Sequence, residues 1–216
     1  MTIVTQAGLR GGLQTLSRRI WDLDWDQHLP WSFDGVDVIA STFEDALPFI
    51  AEHYARIFGA EGGEKRFLSD PMTESKRRFG AEMDVLTFRD GTRTVGLLVG
   101  HPIDWTTYYM RSVALLPEYR SRNLLARLLV RTDEVLRDAG CERIEGECSP
   151  TNAAMMRILG GAGFLVTSTT SSERWGLTVR MTKFLRDDAE EVFARQFCGV
   201  RVKRRASVVG KLPVEE

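Results

Sequence analysis

The chain is poor in the residues that announce metal or disulfide chemistry. Its three cysteines, Cys141, Cys148 and Cys198, and its three histidines, His28, His53 and His101, are scattered along the sequence. None shows the close paired spacing of metal ligands, so no metal is expected. So few cysteines exclude a disulfide framework, and the expected setting is a reducing cytoplasm. Long apolar runs are missing too. Nothing approaches the roughly 20 residues of a membrane span, and no secretory signal opens the chain. Charge of one sign is also missing, since 29 basic residues meet 30 acidic ones for a net charge of −1. No whole-molecule field therefore draws the protein to nucleic acid. What is present is a chain of 216 residues, 43% hydrophobic and 27% charged, which suits one globular core with extensions.

The most informative stretch runs from Tyr109 to Leu129. An apolar segment with Val113, Leu115 and Leu116 meets Pro117, followed by Tyr119, Arg120, Ser121, Arg122 and Asn123. Leu124, Leu125, Leu128, Leu129, Val135 and Leu136 then recur on one helical face, and Gly140 stands where a helix commonly ends. A strand thus turns at Pro117 into a helix whose start is flanked by two arginines. The first amides of a helix lack internal partners, and its dipole favours an anion there. Ser121 to Ala126, with Arg120 and Arg122, therefore read as an anion site. They read equally as an ordinary turn with solvated arginines.

This order of residues resembles motif A of the GNAT acyltransferase superfamily. Leu115-Leu116-Pro117 fills its V-x-P-like step, and Arg120, Asn123 and Leu125 fill the Q/R, G and G/A positions of Q/R-x-x-G-x-G/A. The arginine matches and the two small residues are replaced. A second stretch agrees: Asn152 stands eleven residues before Gly163 and twelve before Phe164, similar to the family's Asn-to-Gly-Phe helix. The resemblance covers residues 35–185. It implies an α/β fold, a mixed β-sheet flanked by helices on both faces with a splayed parallel strand pair. The implied activity is N-acyl transfer, acetyl by default, from acetyl-CoA or another acyl-CoA to a small-molecule or peptide amine. In that frame the pyrophosphate lies on Ser121, Arg122, Asn123, Leu124, Leu125 and Ala126 beside Arg120. The pantetheine pairs with the backbone of Val113, Ala114 and Leu115, and Asn152 contacts the CoA arm. Read from local pattern alone, Asn152 is a helix cap. Where many members carry a thiolate-protonating tyrosine, seven residues after the asparagine, this chain has Leu159. Tyr109 or Tyr119 would then serve, or the thiolate departs unassisted. The rival readings are a non-catalytic ligand- or partner-binding domain of the same fold, and transfer from a long-chain acyl or acyl-carrier-protein donor.

Taken in order, residues 1–34 read as an extension. Leu13, Leu16 and Ile20 can share a helix face, and Trp21, Trp25 and Trp31 are expected to be buried against the domain or a second copy in a homodimer. Val36 to Ala40 alternate as a strand, and Ser41 with Glu44 forms a capping-box pattern ahead of a helix that Gly59 stops. A second helix is predicted over Glu74 to Met83. Val85 to Phe88 and Thr94 to Val99 form a hairpin about Asp90-Gly91. His101-Pro102 reads as a break before the strand Thr106 to Leu116. The next strand, Glu142 to Cys148, should be parallel to it, because a helix joins them. An antiparallel pair near Val166 and from Gly176 to Leu185 closes the sheet. Residues 186–216 read as a helix carrying Ala189, Phe193 and Phe197, then a solvated basic tail with Arg201, Lys203, Arg204 and Arg205.

An amine must lose its proton before it can attack a carbonyl, which calls for a base. Glu145 and Glu147 fall on one side of the strand Glu142 to Cys148. Glu147, nearer the C-terminal end where open sheets bind ligands, is the candidate base. The competing assignment is an ion pair with Arg111 or Arg143.

Overall fold

The computed structural model describes residues 16–58, 73–172 and 175–197. Leu13, Cys198 and the basic tail lie outside the described residues.

Helix α1 (Leu16–Trp21) precedes strand β1 (Trp31–Phe33), which pairs antiparallel with β2 (Val36–Ser41). Asp34 and Gly35 form the connection, with φ of 52° and 77°. Two successive left-handed residues suit a tight hairpin, and Asp-Gly is a favoured pair for it. The sheet therefore begins inside the segment that reads as an extension. Trp25 and Trp31 are buried and meet edge-to-face with ring centroids 6.3 Å apart. Trp21 is half-buried, with its ring 6.4 Å from that of Tyr108. Ile20 is exposed.

Helix α2 (Phe43–Phe58) opens one residue later than its sequence pattern suggests. Thr42, not Ser41, is the cap: the Asp45 amide donates to Thr42 Oγ1 at 3.1 Å, and the Thr42 amide donates to Asp45 Oδ2 at 3.3 Å. Ser41 ends β2 instead, its hydroxyl 2.7 Å from that of Thr87. Helix α3 (Glu74–Ala81) is capped by Thr73. Strands β3 (Asp84–Asp90) and β4 (Arg93–Pro102) are joined by Gly91-Thr92. Strand β4 runs on through His101-Pro102, where the sequence reads as a break, and pairs there with Tyr109 and Tyr108. β5 (Thr107–Leu115), α4 (Leu124–Asp138), β6 (Arg143–Cys148) and α5 (Ala153–Gly161) follow. β7 (Leu165–Ser172), β8 (Gly176–Phe184) and α6 (Asp187–Phe197) complete the order.

The eight strands form one sheet in the order β1-β2-β3-β4-β5-β6-β8-β7, and β5–β6 is its parallel pair. That pairing runs from Thr107 with Arg143 to Met110 with Gly146 and stops. On its other edge β5 stays paired with β4 as far as Leu115. Val99 lies opposite Ser112 and Gly100 opposite Met110, which leaves Arg111 as the extra residue of a bulge. A bulge bends its strand, and this one sits where β5 parts from β6.

Helices cover both faces. Phe49, Ile50, Tyr54 and Ile57 of α2 meet Leu97, Ser112 and Ala114 on one face, and Phe79 of α3 meets His101 beside them. On the other face Asp133 of α4 pairs with Lys183 of β8, and Met156 of α5 meets Cys148. The core is continuous through β2 to β5 and the buried stripe Leu124, Leu125, Leu128, Leu129, Val135 and Leu136 of α4. Among the described residues no helix is long and apolar enough to cross a membrane, and no three metal-ligating side chains cluster.

Gly96 shows how closely β4 and β5 are packed. A Cβ there would lie 2.5 Å from Leu115 Cδ2 and 2.6 Å from the Ala114 carbonyl oxygen. The carbonyl belongs to the paired backbone and cannot swing away. Gly96→Ala is therefore expected to lower stability by about 1–3 kcal/mol, the usual cost of overpacking, as a fall in the denaturant midpoint would show.

Candidate functional site

Two features meet at the C-terminal end of β5. The first is the open edge created where β5 and β6 part. Val113, Ala114 and Leu115 lie beyond the last β5–β6 pair, so the β6-facing edge of their backbone has no strand partner. The second is the start of α4. Its first residues, Leu124, Leu125 and Ala126, have no side-chain cap. Asn123 precedes them with φ 56° and ψ 12°, and Ser121 is also left-handed at φ 63°. A left-handed backbone is costly for most residues, but asparagine tolerates it best after glycine. Asn123 thus takes the conformation for which a glycine would be the default, and the helix opening keeps its turn. Leu125 is buried in the core, so its side chain does not lean over these amides.

The two arginines flank that opening. Arg120 donates from Nε to the Leu115 carbonyl oxygen at 3.1 Å, which ties the loop to the open edge of β5. The Arg122 guanidinium lies 4.8 Å from the centre of the Tyr119 ring. Asn152 caps α5, accepting from the Met155 amide at 3.1 Å through Oδ1, and its residue is exposed. Its side-chain amide group therefore stays available beside the end of β6.

A charged strip crosses the sheet on the face that carries α2 and α3. Tyr109 of β5 stands beside Glu145 of β6, and Glu147 of β6 lies opposite Arg180 of β8. Glu147 Oε1 accepts from Arg180 Nη2 at 2.7 Å and from Nε at 3.1 Å. Its Oε2 lies 3.2 Å from the hydroxyls of Thr170 and Thr178, which are 2.6 Å apart, so that one hydroxyl donates to the other and the other donates to Glu147. Three donors converge on one carboxylate. That is the environment of an ion pair, with Arg180 as the partner rather than Arg111 or Arg143. Glu145 is closed in between the same arginine, at 3.4 Å, and Arg143, at 4.0 Å.

Tyr109 is half-buried. Burial first, then the negative charge of Glu147, raises its pKa above the ordinary 10.0, while Arg111 and Arg180 pull the other way. Tyr119 is differently placed: its hydroxyl donates to Asp90 Oδ2 at 2.6 Å, at the β3–β4 hairpin. Of the two tyrosines, only Tyr109 lies on the strip. Cys141 is buried and its thiol is pushed up to about 11 by that burial, so it is no nucleophile near neutral pH.

Sequence reasoning passed over Arg180 and His101. The alternation Thr178, Arg180, Thr182 along β8 signals a polar face and could have matched Arg180 to Glu145 and Glu147. His101 was hidden because His101-Pro102 resembles a loop.

Comparison with known proteins agrees with this fold. A family model described as the acetyltransferase (GNAT) family matches residues 19–164. Among solved structures, yncA from Salmonella typhimurium, with its cofactor acetyl-CoA, superposes with a TM-score of 0.53 at 18% identity, covering 71% of this chain and 96% of that one. Ribosomal-protein-S5-alanine acetyltransferase from Vibrio fischeri gives 0.54 at 13% identity, covering 74% and 98%. SpeG spermidine N-acetyltransferase from Vibrio cholerae gives 0.53 at 13%, covering 70% and 95%. No curated protein matches the chain in sequence.

Proposed function

Because the chain belongs to the acetyltransferase (GNAT) family, we propose that it transfers an acetyl group from acetyl-CoA to the amine of a small molecule or peptide. One observation carries this reading: β5 and β6 part after Met110 and Gly146, directly ahead of the uncapped start of α4. The residues present fit an extended, anionic thioester. The open edge of β5 at Val113, Ala114 and Leu115 accepts an extended chain as a further strand does. The amides from Ser121 to Ala126, with Arg120 and Arg122 beside them, hold a pyrophosphate. The side-chain amide of Asn152 meets the intervening arm. Acetyl-CoA supplies an activated carbonyl, and a backbone amide of β5 stabilises the charge that develops on its oxygen. Tyr109 gives its hydroxyl proton to the leaving sulfur and recovers one from the nitrogen that becomes the amide. Glu147, Arg180 and Glu145 form the charged wall that the acceptor meets.

Acetyl-CoA binding tests the reading. Ligand at about a hundred times its dissociation constant stabilises by roughly 2.7 kcal/mol, and each kcal/mol raises Tm by about 2–4 °C in a chain of this size. A rise of several degrees with millimolar acetyl-CoA is expected. No shift with acetyl-CoA or with a longer acyl-CoA would overturn both the site and the reaction.

A further inference from the structure

Acyl transfer to an ammonium needs a proton acceptor, and the carboxylates on the charged strip are poor ones. Glu147 already accepts from three donors, and Glu145 sits between two guanidinium groups. Resting on the acyl-transfer reading above, we propose that His101 is the base, taking the proton of the acceptor ammonium at Nε2.

The placement comes from the register of β4 and β5. His101 lies directly across from Tyr109, on the face where Tyr109 neighbours Glu145, and just before the bulge at which β5 leaves β6. Its ring is wedged edge-on between Phe79, with centroids 5.7 Å apart, and Tyr109, at 5.8 Å. Two aromatic neighbours restrict the imidazole to a narrow range of orientations. Its tautomer follows from one contact. Nδ1 lies 3.0 Å from the Pro102 carbonyl oxygen, and a carbonyl oxygen only accepts. Nδ1 therefore carries the hydrogen, and in the neutral ring Nε2 carries the lone pair. Among the described residues no group hydrogen-bonds Nε2, and His101 keeps 9% of its surface exposed.

The surroundings keep the ring neutral. Burial, the largest influence, and the charge of Arg111 hold its pKa below the usual histidine value of 6.5, against the opposing effect of the Pro102 carbonyl. The ionisable groups facing it are Tyr109 and Arg111 on β5, with Glu145 one strand further on β6, while α3 presents the uncharged ring of Phe79. A neutral imidazole at pH 7 is ready to accept a proton. In the reaction, Nε2 takes one proton from the ammonium. The freed lone pair forms the carbon–nitrogen bond as the carbon–sulfur bond breaks. Tyr109 protonates the departing sulfur and takes the second proton from the nitrogen, and the imidazolium returns its proton to solvent. The products are the amide, the free thiol and one proton.

His101→Asn and His101→Ala test this, with acetyl-CoA as donor and tens of millimolar benzylamine, spermidine or a short peptide with a free N-terminus as acceptor. The asparagine variant retains a donor for the Pro102 carbonyl and loses the lone pair. Expected is a fall in kcat of about a hundredfold, an unchanged KM for acetyl-CoA, and loss of the acidic limb that the parent shows below pH 6.5. Added imidazole should restore part of the turnover of His101→Ala. Both variants should keep the parent's thermal shift with acetyl-CoA, which shows that they fold. Parent-like kcat and pH profile in the asparagine variant would overturn the assignment. So would a loss that leaves the acidic limb in place and that imidazole does not relieve. If the parent itself transfers acetyl to none of these amines, the acyl-transfer reading falls and the role of His101 falls with it.

Discussion

Truncating Leu125 to alanine is expected to cost about 2–5 kcal/mol of stability and to leave acetyl-CoA affinity close to that of the parent. Leu125 occupies the position where the family pattern has a small residue, and its side chain had two places to go. Packed inward it joins Leu129 one turn later, and leaning outward it would obstruct the helix start. It is buried, on the stripe that α4 presents to the core. Its backbone amide still belongs to the first turn, so what anion binding needs is retained while the side chain serves packing. Leu125→Ala would leave a cavity among side chains that close only partly around it. In a chain of this length the loss corresponds to a fall in Tm of roughly 4–20 °C, at about 2–4 °C per kcal/mol. A variant as stable as the parent that binds acetyl-CoA at least tenfold more tightly would show instead that Leu125 guards the site.

Replacing Tyr109 with phenylalanine should lower turnover by about a hundredfold or more, with no change in acetyl-CoA affinity. Of the two tyrosines that could serve as acid, Tyr109 stands next to the last β5–β6 pair, while Tyr119 is held by Asp90. An acid must stay protonated to act. Burial and the charge of Glu147 raise the Tyr109 pKa above 10.0, so parent turnover should not fall through loss of this proton until the pH passes about 10. Glu147→Gln is the companion experiment. Removing that negative charge lowers the Tyr109 pKa and brings the alkaline limb down. The Glu147–Arg180 pair is partly exposed, with the two side chains 21% and 36% accessible. Its loss should therefore cost little, about 0–1 kcal/mol. If Glu147→Gln instead removes the acidic limb and most of the turnover, Glu147 is the base, as its position on β6 suggests from sequence alone, and His101 is not. Rate–pH profiles of the three chains, measured with one amine, separate these outcomes.

The sequence by itself determined much of what depends on local spacing, although it set the cap of α2 one residue early. The stripe from Leu124 to Leu136 specifies the helix and which side it buries, because residues three and four apart share a face. The helix between Leu116 and Cys148 specifies that β5 and β6 run parallel, because only a crossover of that length can join them. The opening of α4 after Asn123 and the cap at Asn152 follow from the same local rules. Cross-strand partnership does not, because register depends on backbone pairing between residues far apart in the chain. The extension of β4 through His101-Pro102 became visible only once β5 was laid against it, and that register alone puts His101 across from Tyr109. Arg180 reaches Glu147 because β8 lies between β6 and β7 in the sheet. The parting of β5 from β6 was legible as a family expectation, but its location after Met110, beside the extra residue Arg111 of the β4–β5 ladder, came only with the tertiary register. Whether Leu125 lined the site or filled the core was decided by tertiary packing: its side chain is buried in the core with the rest of the α4 stripe.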